Sequence, residues 1–151
     1  MEWMLMPLRK YAQFSGRSRR KEFWMFALLN MIVYSVVLAL MLMTSGASIF
    51  ATANSANPLA IYSAMLSGVG LLLAVWGLAV FIPSIAVSVR RLHDRDMSGW
   101  WYLGFIVASM IPLIGLIASI AFIVVMALPG TPGANRFGPD PKDPGSAEVF
   151  R

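Results

Sequence analysis

The stretch RRLHDRDMSGWW (90–101) gathers five charged side chains and the only histidine of the chain into its first seven residues. The sequence carries no charge from Phe23 to Val89 before it, and none from Met97 to Asn135 after it. Uncharged apolar runs longer than about 18 residues are typical of helices that cross a bilayer. The pattern therefore predicts membrane-embedded segments on both sides of one charged turn.

The composition excludes an ordinary water-soluble protein. Of the 151 residues, 58% are hydrophobic and 13% are charged, whereas soluble domains have about 25% charged residues. Because lipid cannot satisfy a bare backbone, embedded segments have to be helical. We therefore expect an all-α integral membrane protein. The absence of cysteine excludes disulfides, thiolate metal sites and cysteine nucleophiles.

Hydropathy divides the chain into three parts. A basic and aromatic leader (1–22) precedes a transmembrane domain (23–128), and a Pro/Gly-rich tail (129–151) follows. Three spans are predicted as a small helical bundle, at about 23–44, 59–89 and 100–128. Asn57 and Pro58 suit the cap and first turn of the second span. Asn30, inside the first span, is expected to bond a neighbouring helix.

The third segment has two possible forms, because Pro112 lies near its middle. It is either one long span kinked at Pro112 or a re-entrant hairpin. We favour the single span, since irregular backbone inside a bilayer needs protein or water around it.

Charge counts predict the orientation and the partners. The leader has six Lys or Arg, the first loop has none and the 90–99 loop has three, which places the leader and that loop in the cytoplasm. Because the basic residues lie beside apolar runs, anionic lipid headgroups are the expected partner, and no nucleic acid is expected. The predicted headgroup or partner contacts are Arg17, Arg19, Arg20, Arg90, Arg91 and Arg95.

Neither a metal nor a cofactor is expected. A zinc site needs three or four converging ligands, and the charged stretch offers His93, Asp94 and Asp96. The serines show no nucleophile motif such as G-x-S-x-G, so we expect no enzymatic activity.

Asp94 and Asp96 would weaken the attraction of this loop for anionic lipid. Acids beside arginines therefore indicate specific ion pairing. We interpret the charged stretch as a clamp between helix ends, with Ser98 or Asp96 capping the third helix. The residues predicted for this clamp are His93, Asp94, Asp96, Ser98, Trp100, Asn135 and Arg136.

Three motifs carry a family resemblance, namely FSGRSRRKEFW (14–24), RLHDRDMSGWW (91–101) and GTPGANRFGPDP (130–141). Together and in this order they resemble the bacterial membrane proteins catalogued as domain of unknown function 805. The resemblance implies a small, multi-pass protein of the bacterial inner membrane with no agreed biochemical activity. The long uncharged first loop departs from the family pattern.

The leading hypothesis is a non-enzymatic membrane module that binds anionic headgroups or a partner protein, with self-association or assembly with other membrane proteins. One alternative is a small transporter or channel subunit for an uncharged solute, because no ionisable residue lies in the three apolar runs. A further alternative is an enzyme at the inner surface that uses His93 and Asp94.

Overall fold

The computed structural model describes residues 2–53, 59, 62 and 68–143. Within these ranges the regular structure is helical, apart from one isolated antiparallel bridge between Asn135 and Gly138. This confirms the all-α prediction. The helices are α1 (Glu2–Arg9), α2 (Arg20–Ala53), α3 (Gly70–Asp94), α4 (Trp100–Ser109) and α5 (Ile114–Ala127).

Two of these helices contain segments that are long and apolar enough to cross a membrane. The segments are Arg20–Thr44 and Gly70–Asp94, each of 25 residues. At 1.5 Å per residue each is about 38 Å long, which exceeds a hydrocarbon core of about 30 Å. Large apolar side chains such as Ile32 and Leu72 lie exposed on them, as lipid contact requires.

The boundaries of the long helices differ from those expected. Helix α2 does not end at Thr44 but continues through SGASIFATA (45–53). The Thr44 hydroxyl donates to the carbonyl of Leu40 at 2.8 Å, so this polar side chain bonds within the helix and does not end it. Helix α3 begins at Gly70, after a turn at Gly68 with φ +53°. The start predicted at Asn57 and Pro58 lies outside the described residues.

The preference for a single third span is wrong. Residues 100–128 form two helices, of 10 and 14 residues, which would extend only about 15 and 21 Å. Neither is long enough to cross a bilayer alone. Phe105 of α4 packs against Phe122 of α5 with ring centroids 5.5 Å apart, so the chain folds back on itself as in the hairpin alternative.

The turn of the hairpin combines a proline with a strained residue. Leu113, directly after Pro112, has φ 67° and ψ −49°, and the N–H of Ile114 donates to the Pro112 carbonyl at 2.8 Å. These values define a γ-turn of the rare, strained kind. At Gly115 a Cβ would lie 2.5 Å from the carbonyl oxygen of Ser109. The close approach of the two helices therefore requires glycine at this position.

The chain divides into two compact units. The second unit is Ala27–Phe81, where Trp76 Nε1 donates to Asn30 Oδ1 at 3.1 Å. This contact confirms that Asn30 bonds a neighbouring helix. The first unit comprises Met1–Phe26 and Ile82–Arg151. It contains the leader, the end of α3, the hairpin and the described part of the tail.

Candidate functional site

The first unit contains a set of buried ionic side chains at the ends of α2 and α3, which we call the helix-end cluster. It consists of Arg17, Glu22, Arg90, Arg91 and Asp94, and each is at most 4% exposed. Arg17 precedes α2 and Glu22 lies in its first turn, while Arg91 and Asp94 lie in the last turn of α3 and Arg90 comes directly before that turn. Ions so deeply buried are stable only when they are paired and hydrogen-bonded.

Asp94 lies at the centre of the cluster. Its carboxylate accepts a hydrogen bond from Arg17 Nε at 2.9 Å, and Arg17 Nη2 is also 2.9 Å from Oδ1. The other carboxylate oxygen accepts from Arg91 Nη1. One buried anion thus joins the leader to the end of α3 through two guanidinium groups, which are well suited to such planar contacts.

The tail packs directly on Asp94. The backbone N–H of Thr131 donates to the Asp94 carbonyl at 2.8 Å, and the Thr131 hydroxyl donates to the same oxygen at 3.2 Å. A Cβ built on Gly130 would lie only 1.9 Å from Asp94 Oδ2. Gly130 is therefore needed for the approach of the tail to this carboxylate.

Arginines from the leader, from the last turn of α3 and from the residue after α3 donate to backbone carbonyls at the end of α5 and in the tail. Carbonyls in the last turn of a helix lack partners within it, and cations there also complement the helix dipole. The donor and acceptor pairs are Arg91 to Met126 and Leu128, Arg20 to Ala127, Arg95 to Pro129, Arg17 to Thr131 and Gly133, and Arg19 to Pro141. These hydrogen bonds attach the leader to the segment after the hairpin.

Glu22 and Arg90 form a second buried pair, with Arg90 Nη1 at 2.8 Å from Glu22 Oε1. The Arg90 carbonyl accepts from the backbone N–H of Ser18 at 3.1 Å. Among the described residues, Nε and Nη2 of Arg90 have no hydrogen-bond partner. Burial lowers the pKa of the nearby Lys10, and the carboxylate of Glu22 opposes that shift.

His93 makes contacts typical of a structural residue. Its ring stacks on Phe137, with centroids 3.9 Å apart and an angle of 4° between the planes. Nδ1 lies 3.2 Å from the carbonyl oxygen of Gly16, and the His93 carbonyl accepts from Asn135 Nδ2 at 2.9 Å. In the described part of the chain, no group of three or more His, Asp or Glu side chains could hold a metal ion.

The remaining residues of the predicted clamp lie at the surface. Arg136 Nε is 3.1 Å from Asp96 Oδ1, with both side chains about half exposed, and Arg136 also donates to the Asp96 carbonyl at 2.7 Å. The N-cap of α4 is Gly99, without a side-chain cap, so the cap predicted at Ser98 or Asp96 is wrong. Ser98 Oγ instead accepts from the backbone N–H of Trp100 at 3.4 Å. The Trp100 side chain is 77% exposed.

The arginines predicted to contact headgroups fall into two groups. Arg17, Arg90 and Arg91 are buried in ion pairs, so we correct the expectation that they contact headgroups. Arg20 is exposed, and Arg19 and Arg95 are partly exposed. The cation of Arg19 lies 5.6 Å from the ring centre of Trp3, and that of Lys21 lies 5.5 Å from the same ring.

Sequence reasoning missed three members of this site, namely Glu22, Gly130 and Thr131. Glu22 carries a detectable signal, because it directly follows the last of the six leader cations at the edge of an apolar run. The tail also folds locally around Asp140, whose carboxylate accepts from the N–H groups of Lys142 and Gly133. These bonds, that of Lys142 first, lower the pKa of Asp140.

The family model for "Protein of unknown function (DUF805)" matches residues 11–139. The chain is 42% identical to inner membrane protein YhaH of Escherichia coli K12, over 94% of this chain and 98% of that protein. It is 39% identical to inner membrane protein YhaI of the same organism, over 94% and 97%. No solved structure matches. The motif resemblance and these matches agree, and the chain belongs to the family of unknown function DUF805.

Proposed function

We propose that this protein is a non-enzymatic, multi-pass module of the bacterial inner membrane whose cytoplasmic surface binds anionic lipid headgroups. The relatives named inner membrane proteins and the two long apolar helices support the location. The assignment of headgroup binding rests on the position of the Trp3 ring near the cations of Arg19 and Lys21. An aromatic ring flanked by cations at the start of an apolar helix is typical of the membrane interface.

The basic residues fall into two groups with different roles. The buried cations hold the fold together through Asp94 and Glu22, while the exposed cations Arg9, Arg20 and Lys21 meet the lipid. Each exposed cation near an anionic leaflet contributes about 1 kcal/mol to binding.

We also propose a topology with two crossings and a hairpin. Because leader arginines bond residues 127–141, the leader and this part of the tail lie on one side of the membrane. The positive charge of the leader favours the cytoplasmic side. In this topology α4 and α5 enter the membrane from the cytoplasm and return to it, which accounts for the exposed apolar side chains of Leu103, Val107 and Leu116.

The headgroup proposal is tested by lipid titration of the purified chain in detergent. Phosphatidylglycerol and phosphatidylcholine are titrated separately onto the wild type and onto Lys21→Gln, and affinity is measured from thermal stabilisation. We expect Lys21→Gln to lower the affinity for phosphatidylglycerol by about 1 kcal/mol, roughly fivefold, and raised salt to reduce this difference.

The matched control is Lys142→Gln, which removes an exposed cation of the tail and should leave the affinity nearly unchanged. Equal effects of the two substitutions, or equal stabilisation by both lipids, would refute headgroup binding by the leader.

A further inference from the structure

We propose that the α4–α5 hairpin binds one anionic phospholipid, with its phosphate at Arg20 and one acyl chain in the groove between the two helices. This inference rests on the proposed function, because it names the lipid site that the exposed cations would serve. It adds a defined position for one acyl chain of that lipid.

The groove is a cavity of about 280 Å³ between α4 and α5. Its lining includes Phe105, Ile106, Ser109, Ser119, Phe122 and Ile123. The Ser109 hydroxyl donates to the Ile106 carbonyl at 2.7 Å, and the Ser119 hydroxyl donates to the Gly115 carbonyl at 2.8 Å. Both serine hydroxyls therefore donate within their own helices. Apart from the hydroxyl of Tyr102, which also lines the groove, the lining suits a hydrocarbon chain.

Arg20 marks the position of the phosphate. Its Nη1 donates to the carbonyl of Ala127 at the end of α5, at 3.2 Å, and its side chain is exposed. Ser119 lies eight residues before Ala127, about 12 Å along the helix axis. Since the headgroup region is about 5–8 Å thick on each side of the bilayer, a phosphate at Arg20 places acyl carbons at the depth of the groove.

An apolar path connects the cation to the groove. Phe23 follows Arg20 by three residues and so lies on the same face of α2. Its ring packs edge-on against Phe122, with centroids 6.4 Å apart, and Phe122 lines the groove. Lys21, beside Arg20 in sequence and also exposed, adds positive charge that favours a lipid with net negative charge.

The test is photocrosslinking of the full chain in detergent with phosphatidylglycerol that carries a diazirine at the middle of one acyl chain. Crosslinked residues are identified by mass spectrometry. We expect crosslinks concentrated at Ser109, Ser119 and Ile123 over lipid-exposed positions elsewhere, such as Ile32. Arg20→Gln should lower capture at the groove about fivefold, and the same probe on phosphatidylcholine should be captured less.

Ser109→Trp fills the groove at an exposed position and should abolish capture there, and Ser119→Leu should lower it if the first variant does not fold. Val107→Trp is the matched control, because Val107 is exposed on the same helix and is not among the residues that line the groove. Crosslinks spread evenly over exposed apolar residues, or capture unchanged by filling the groove, would overturn the proposal.

The two proposals fail separately. If Lys21→Gln has no effect on phosphatidylglycerol affinity while Ser109→Trp removes crosslinks from the groove, headgroup binding through Trp3 and Lys21 is wrong and the acyl-chain site in the groove stands. If Lys21→Gln lowers the affinity while no crosslinks concentrate in the groove, only the acyl-chain site is wrong.

Discussion

Asp94 shows how one residue holds distant parts of the chain together. Its carboxylate pairs with Arg17 and Arg91, and its carbonyl accepts from Thr131. Removing one partner from a buried ionic group leaves the other charges desolvated and unpaired, which costs far more than loss of a surface pair. Within the helix-end cluster, loss of the Asp94 carboxylate should therefore reduce the stability of the protein most.

We expect Asp94→Asn to destabilise the protein by about 3–5 kcal/mol, because two buried guanidinium groups lose their counter-charge. The matched control is Asp96→Asn, which removes an acid from the exposed pair with Arg136 and should cost about 0–1 kcal/mol. Denaturation of the detergent-purified variants, followed by circular dichroism, measures both. Similar losses for the two variants would contradict the burial of the cluster.

The pair formed by Glu22 and Arg90 should behave as a coupled unit. Glu22→Gln or Arg90→Met alone leaves one buried charge without its partner, whereas the double variant removes both charges. We expect the double variant to be more stable than the sum of the single losses predicts, by about 0.5–3 kcal/mol. A double-mutant cycle of unfolding free energies measures this coupling, and strictly additive losses would exclude it.

The hairpin is the element that departs most from the sequence prediction. A continuous helix over residues 100–128 would leave the ring of Phe122 without the contacts that it makes with Tyr102 and Phe105. Reversal of the chain at Pro112 and Leu113 allows α4 and α5 to pack on each other. That packing holds Leu113 in a backbone conformation that costs roughly 1–3 kcal/mol.

Two glycines of the hairpin provide a test of its close packing. Gly115→Ala places a Cβ 2.5 Å from the Ser109 carbonyl oxygen, and we expect it to cost about 1–3 kcal/mol through overpacking. At Gly104 a Cβ meets nothing within 4 Å, so Gly104→Ala should be neutral or stabilise α4 by up to about 1 kcal/mol. Thermal unfolding measures the difference, and equal effects would argue against the hairpin.

At the scale of the whole molecule, the contacts between leader and tail support the proposed topology. Arg17 and Arg19 cannot bond Thr131, Gly133 and Pro141 if a bilayer separates them. The proposed topology, with two crossings and a hairpin, keeps the leader and this part of the tail on one side.

We therefore expect a reporter fused after Arg151 to show cytoplasmic activity, on the same side as one fused before the leader. Paired fusions to a reporter active only in the cytoplasm and to one active only outside measure the side of each terminus. Opposite sides for the two termini would support three full spans and refute the hairpin topology.

Much of the site was predictable from local chemistry, as Asp94 illustrates. An acid among arginines in a charged stretch between apolar runs indicates ion pairing, and the residues of that stretch do lie at the end of a long helix. The partners of the acid were not predictable. Arg17 is 77 residues away, and sequence spacing does not report contacts that form only when separate segments pack.

The sequence by itself determined that this protein is helical and belongs in lipid, because hydropathy and backbone hydrogen bonding act locally and leave no other state for its apolar runs. Only the tertiary structure decided which arginines are buried and that residues 100–128 fold back on themselves. Both depend on long-range packing, in which a guanidinium meets a distant carboxylate or carbonyl and a glycine admits a neighbouring backbone.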